Sequence, residues 1–324
     1  MTPFTLFALS WVLAFTFPLS ARAQGTSAEQ HALDYLSREV PAWSVKNKCF
    51  SCHNNGDGAR ALYTAVRLGH SIPKKSLADT SDWLIRPEQW DKIGDAAGSS
   101  DKNLARIQFA AALVDGLEAG VIKNREVLAK AATLVAENQK PDGSWQVDAP
   151  GNVGSPATYG PCLATCLARR TLQKADPKRF KTAIGKADRW FERAPIKNIL
   201  DTAAVLQALS DISTTEASAQ RRHCFDLIRQ GESKDGGWGP YVNSPPEPFD
   251  TAVAILALSH NSEKPGVKDM IRQGRAFLIK SQQEDGSWPE TTRPAGAQSY
   301  AQRISTTAWA TLALLKIKDE KLLK

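Results

Sequence analysis

Beyond its first 23 residues the chain has no stretch approaching the ~20 uncharged apolar residues that a membrane-spanning helix needs, so no transmembrane span is expected. It has no sustained alternation of apolar and polar residues bounded by hairpin turns, which leaves no β signal. No basic stripe with interleaved aromatics occurs. The formal charge of +7 is spread along the sequence, and nucleic acid is not an expected partner. Cysteine is scarce: five in 324 residues is too few, and odd in number, for a disulfide-stapled scaffold.

What is present is an ordinary globular composition, 42% hydrophobic and 23% charged, with apolar residues enough for a substantial core. The N-terminus departs from it. Residues 4–17 form an almost unbroken apolar run of signal-peptide length, followed by Pro18 and by Ala21-Arg22-Ala23. This reads as a signal peptide over residues 1–23, cleaved after Ala23, and implies a periplasmic or secreted protein. Loss of Arg22 takes the charge from +7 to +6.

Internal repetition is the strongest signal. Three turns are alike: QKPDGSW (139–145), QGESKDGGW (230–238) and QQEDGSW (282–288). Each follows a charged helical stretch and precedes a second, more apolar one: DTAAVLQAL (201–209), DTAVAILAL (250–258) and TTAWATLAL (306–314). With one helix pair as the unit, the chain divides into six hairpins, at 29 to about 70, 77–120, 121–172, 177–211, 216–261 and 265 onward. First helices with one charged face belong outside, and second helices apolar nearly all round belong inside. Small residues such as Ala203, Ala252 and Ala308 let helix axes approach closely. The expected fold is therefore all-α, an (α/α)6 toroid of six helical hairpins forming one domain over residues 24–324.

The turns resemble the QW repeats of the squalene cyclase and protein prenyltransferase superfamily. The third hairpin fits through Lys130, Ala131, Gln139, Gly143 and Trp145, and the fifth through Arg221, Phe225, Gln230, Gly236 and Trp238. The sixth fits through Gly274, Phe277, Leu278, Gln282, Gly286 and Trp288. The other three hairpins are degenerate. The resemblance implies an α/α toroid, in which these residues are structural: glycine for a tight turn, tryptophan under it, glutamine for helix-end backbone groups.

It also implies what the toroid lacks. The bacterial cyclases protonate an alkene with the middle carboxylate of DxDDTA. This chain keeps only the tail of that motif, as NILDTA (198–203) and EPFDTA (247–252), with Leu200 and Phe249 in the place of the proton donor. A hydrocarbon cannot protonate an alkene. Asp201 and Asp250 are therefore weak catalytic candidates, since Asp-Thr-Ala at a helix start serves equally as a cap. No DDxxD-like magnesium cluster occurs, and the later hairpins show no Asp, Cys and His set for zinc.

Residues 49–53, Cys-Phe-Ser-Cys-His, have the form CxxCH, in the position where other hairpins carry a QW turn. Cys49 and Cys52 could bond the vinyl groups of a haem c while His53 supplies its iron with an axial nitrogen. A Cys49–Cys52 disulfide or a metal site completed by another ligand are the alternatives. His31, His70, His223, His260 and Met270 fall near the opposite ends of their helices. Haem iron would then be five-coordinate or take a group such as Lys46 or Lys48. Cys162, Cys166 and Cys224 read as buried small residues.

Three readings stay open. The first is an exported toroid with one c-type haem, a redox or haem-dependent module with a small-molecule or redox partner. The second is a periplasmic binding protein for a hydrophobic or carbohydrate ligand, with Trp190, Trp309, Tyr159 and Tyr300 as candidate lining residues. The third is a divergent terpenoid-cyclase-like or polysaccharide-lyase-like enzyme.

Overall fold

Ser27, Asp101, Asn198 and Thr214 lie in extended backbone, and each side chain accepts a hydrogen bond from a first-turn N–H of the helix that follows. Four helices thus begin where a short polar residue can satisfy donors that the helix itself leaves unpaired. The structure is a computed structural model describing residues 27–92, 101–147, 153–293, 298–319 and 322. The expected signal peptide lies outside the described residues.

In chain order the helices are α1 (Ala28–Asn47), α2 (Ala59–Arg67), α3 (Ala78–Leu84), α4 (Lys102–Glu118), α5 (Glu126–Ala136) and α6 (Gly160–Ala175). Then follow α7 (Lys181–Phe191), α8 (Ile199–Ala208), α9 (Thr215–Gly231), α10 (Pro248–Ser259), α11 (Val267–Ser281) and α12 (Tyr300–Asp319). No strand occurs among the described residues. The even-numbered helices pack side by side from α2 through α12, and α12 returns to α2, closing a ring of six. Odd-numbered helices pack outside it. All six expected hairpins are present, and the fold is the all-α toroid.

Alanine makes the narrow ring possible. Ala203, Ala204, Ala252, Ala254, Ala308 and Ala310 are all fully buried, so neighbouring inner helices meet without large side chains between them. The QW turns bind one hairpin to the next. Trp145, Trp238 and Trp288 are buried, and their indole N–H groups donate to the carbonyls of Val135, Ile228 and Leu278 at 2.7–2.8 Å. Their backbone N–H groups donate to Thr165, Thr251 and Thr307 on the inner helices. Gln139 Nε2 reaches Ala183 O at 2.8 Å, and Gln282 Nε2 reaches Ala28 O at 2.9 Å. Gly143 and Gly286 have φ of 102° and 93°, and a Cβ on either would collide with a carbonyl of the next outer helix, Lys186 or His31 respectively. Only glycine meets both demands.

Hairpin one corrects one expectation. The sequence places CFSCHNNGDG as the turn of this hairpin, where others carry a QW turn, but Cys52–Gly58 is a π-helical segment running directly into α2. Ser51 caps it by accepting from His53 N at 3.2 Å, and Asn55 Oδ1 accepts from Ser51 N at 2.9 Å. Gly56 lies against Gln108 of α4 and Gly58 against Val40 of α1, too close for a Cβ to fit without displacing a neighbour. The wide turn therefore wedges between three helices, α1, α4 and α12.

Candidate functional site in the barrel

The two ends of the inner barrel differ. At the end formed by the first turns of the inner helices, Asp57 is fully buried. Its carboxylate accepts from Gln108 Nε2 at 2.9 Å, from Ser305 Oγ at 2.8 Å and from the Tyr159 hydroxyl. One carboxylate thus joins the first, second, third and sixth hairpins. Burial pushes its pKa up to about 6, against the pull of Arg60 and its three hydrogen-bond donors. Tyr159 has φ 62° and ψ −44°, a strained backbone for a non-glycine residue; it is held there with its ring edge-on to Trp309 at 5.7 Å.

His53 belongs to this end. It is partly exposed, and its Nδ1 lies 3.0 Å from Ser305 Oγ. Burial lowers its pKa to about 4. Cys49 and Cys52 are free, partly exposed thiols, and burial pushes Cys52 up to about 12. Phe50 between them stacks on Trp83 at 4.5 Å. Among the described residues no three His, Cys, Asp or Glu side chains converge as a metal-holding group. The motif's donors therefore do not form one ligand cluster. The donor chemistry still fits a thioether-bound haem: the Ser305 contact orients the imidazole through Nδ1, leaving Nε2 for a ligand, and both thiols are free.

The opposite end opens as a cavity of about 480 Å³ lined by all six inner helices. Its deep part is formed by Arg60, Asp115, Cys166, Leu256 and Trp309, and its mouth by residues one to two turns further along each helix, among them Lys174, His260 and Lys316. Six lysines and arginines line it against three carboxylates (Asp115, Glu118 and Asp211), an excess of three positive charges. Asp115 is held by Arg60 at 3.1 Å and Arg170 at 2.6 Å. Burial opposes its charge, but the two arginines outweigh burial and its pKa is lowered. Arg169 is engaged by Asp188 and Asp211. The Arg60 guanidinium lies 4.9 Å from the Trp309 ring centre.

The sequence candidates sort accordingly. Asp201 and Asn198 form a reciprocal cap: Asn198 Oδ1 accepts from Asp201 N at 2.8 Å, while Asp201 Oδ2 accepts from Asn198 Nδ2 at 2.9 Å. Burial raises its pKa. Asp250 is fully buried and receives two charge-assisted hydrogen bonds from Arg293 at 2.7 and 2.6 Å; burial pushes it up to about 6 against the pull of that arginine. Neither lines the cavity. Phe249 occupies the barrel, edge-on to Trp309 at 6.0 Å. Of the aromatics expected to line a cavity, Trp309 does so and Tyr159 packs against it. Trp190 belongs to an outer helix, and Tyr300 stacks on Trp43 at the rim.

Asp57 and Arg60 are the residues that sequence reasoning missed. The signal was a pair of charges at the start of an inner helix, together with polar Gln108 and Ser305 on two others.

Residues 178–292 match the squalene-hopene cyclase C-terminal domain family. The drimenyl diphosphate synthase of Streptantibioticus cattleyicolor is 24% identical over 201 residues, 59% of this chain and 37% of that protein. The chain thus spans little more than a third of that relative's length. Among solved structures, the type II terpene cyclase MstE from Scytonema superposes with a TM-score of 0.57 at 13% identity, covering 90% of this chain and 99% of that one. A possible GH105 family member from Salmonella enterica serovar Paratyphi A gives 0.53 at 10% identity, covering 97% and 100%. The structural likeness shows the fold, which both kinds of protein share. Together with the family match, it supports the squalene cyclase and prenyltransferase toroid superfamily as the one to which this chain is similar.

Proposed function

We propose that the chain is a divergent terpenoid-cyclase-like toroid that takes a small isoprenoid-type ligand into its barrel. The observation that carries this reading is the cavity built from all six inner helices. Its volume of about 480 Å³ falls in the range of ~300–1,000 Å³ found for small-molecule sites. The similarity to a drimenyl diphosphate synthase supports it.

The geometry does not support alkene protonation by the usual motif. Leu200 and Phe249 stand at the donor position, Asp201 caps a helix, and Asp250 is neutralised by Arg293. Asp57 has the raised pKa of an acid but is enclosed by three donors. Arg60 also sets a fixed positive charge over the one aromatic face that the cavity exposes at depth. A carbocation ~5 Å from it would be destabilised by about 3 kcal/mol at an effective dielectric of ~20. The barrel supplies binding and stabilisation of negative charge instead.

Titration of the purified chain with geranyl and farnesyl diphosphate, followed by calorimetry, tests the reading. Saturable binding to one site is expected. Absence of binding to either, with binding of neutral oligosaccharides, would remove it.

A second reading rests on the CxxCH geometry. Cys49 and Cys52 would hold a haem by thioether bonds and His53 would ligate its iron, with Ser305 fixing the imidazole through Nδ1. Bound haem would supply redox or small-ligand chemistry at the rim. This reading requires export, hence cleavage after Ala23. Periplasmically matured protein should carry the mass of one haem and a Soret band, and Cys49→Ala should remove both. A colourless protein of unmodified mass ends it.

A further inference from the structure

Groups from three helices set the position of His53. Ser51 Oγ accepts from His53 N at 3.2 Å on one side. On the other, Asn54 Nδ2 donates to Glu39 O of α1 at 3.0 Å and to the Tyr300 hydroxyl of α12 at 2.9 Å, and Asn55 Nδ2 donates to Thr80 Oγ1 of α3 at 2.8 Å. The ring itself is held from α12, with Nδ1 3.0 Å from Ser305 Oγ. That hydroxyl has one proton, and it goes to Asp57 Oδ2 at 2.8 Å. Asp57 is fully buried and ringed by donors: Gln108 shares Oδ2, while the Tyr159 hydroxyl and, at 3.9 Å, Arg60 Nη1 face Oδ1. Such surroundings suit an ionised carboxylate, which can only accept. Ser305 Oγ is left to accept from the imidazole, so the ring proton sits on Nδ1 and the lone pair on Nε2.

We propose that Asp57 and Ser305 are positioning residues for the CxxCH imidazole: through the Ser305 hydroxyl, the buried Asp57 carboxylate locks His53 in its Nδ1–H form and makes Nε2 the stronger donor to a metal. This rests on the haem reading, to which it adds the property being set. A carboxylate linked by one hydroxyl to the Nδ1–H of an axial imidazole increases the electron donation of the ring, which favours ferric over ferrous iron. Arg60 faces the other carboxylate oxygen, so it offsets part of the charge and leaves the hydrogen-bond chain whole. Ser305 lies 252 residues from His53 and belongs to the last inner helix. The relay is therefore assembled only when the ring closes.

Two measurements test the proposal. The first is nitrogen NMR of the histidine rings at pH ~7.5, above the usual imidazole range, on full chain made in the cytoplasm without haem. His53 should show the Nδ1–H pattern in the wild type and move toward the Nε2–H form of a free imidazole in Ser305→Ala. An Nε2–H pattern in the wild type overturns the lock, whatever the haem does. The second is the midpoint potential of haem-loaded protein matured in the periplasm. Ser305→Ala should shift the ferric–ferrous balance ~10-fold toward ferrous iron, the low end of what an outer partner of a ligand contributes, or ~59 mV upward for a one-electron couple. Ser305→Thr, which keeps the hydroxyl, should return it. An unchanged potential in Ser305→Ala overturns the tuning and leaves the haem reading standing. Protein that takes up no haem removes that reading and the tuning with it, and the wild-type tautomer then decides the lock alone. If Ser305→Ala does not fold, the wild-type NMR pattern decides in the same way.

Discussion

The closed and open ends of the barrel are made from the same six helices and do opposite work. At the closed end, one carboxylate from hairpin one collects a tyrosine, a glutamine and a serine from three other hairpins. At the open end, cations on the later turns of those helices face a cavity. The difference follows from helix direction. Outer-to-inner turns all lie at the closed end, so that end can be stitched. The open end joins one hairpin to the next and leaves a hole that side chains must shape.

If the closed end carries stability and the open end carries binding, substitutions should sort by position. The largest effect is expected for Trp288→Ala, which empties a buried indole site and orphans the Leu278 carbonyl; urea unfolding should show a loss of ~3–5 kcal/mol. Asp57→Ala should cost about 3 kcal/mol by stranding its donors and Arg60. A cost below 1 kcal/mol would mean that the closed end is not the keystone. Asp57→Asn sharpens the point through pH. Because the folded-state pKa, about 6, lies above the unfolded value near 3.8, the folded chain holds this proton more tightly. Stability from Asp57 is then full below pH ~4 and is lost as pH rises through 6, on the order of 3 kcal/mol. Asp57→Asn should remove that part of the wild-type pH dependence. Asn198→Ala should cost ~1 kcal/mol through its cap, without changing ligand affinity. Lys174→Gln, at the open end in a half-exposed pair with Glu118, should alter stability by less than ~0.5 kcal/mol while slowing association of an anionic ligand.

The fold was legible because it is written locally. Gln139, Gly143 and Trp145 act within a few residues of one another and on the adjoining outer helix, so three copies of the pattern announce themselves. The caps at Asn198 and Thr214 are equally local. The closed-end network was not legible, because Asp57, Gln108, Tyr159 and Ser305 come from four hairpins and acquire meaning only when the ring shuts. The sequence GDG at residues 56–58 also imitates a turn, and only packing of Gly56 on Gln108 and Gly58 on Val40 shows it to be helical. The cavity was hidden for another reason. Arginines and lysines late in a helix are what the helix dipole favours on any surface, so Arg67, Arg169 and Lys174 carried no mark of facing inward.

The contact from Gln282 to Ala28 is the same clasp that Gln139 makes with Ala183, yet it spans almost the whole described chain. A nascent polypeptide emerging from the ribosome therefore builds an open arc, whose first and last members stay unmatched until α12, ending at Asp319, has been synthesised. During that interval the apolar flank of α2, later covered by α12, faces the surroundings. Chaperone occupancy should peak then and fall once the final hairpin docks.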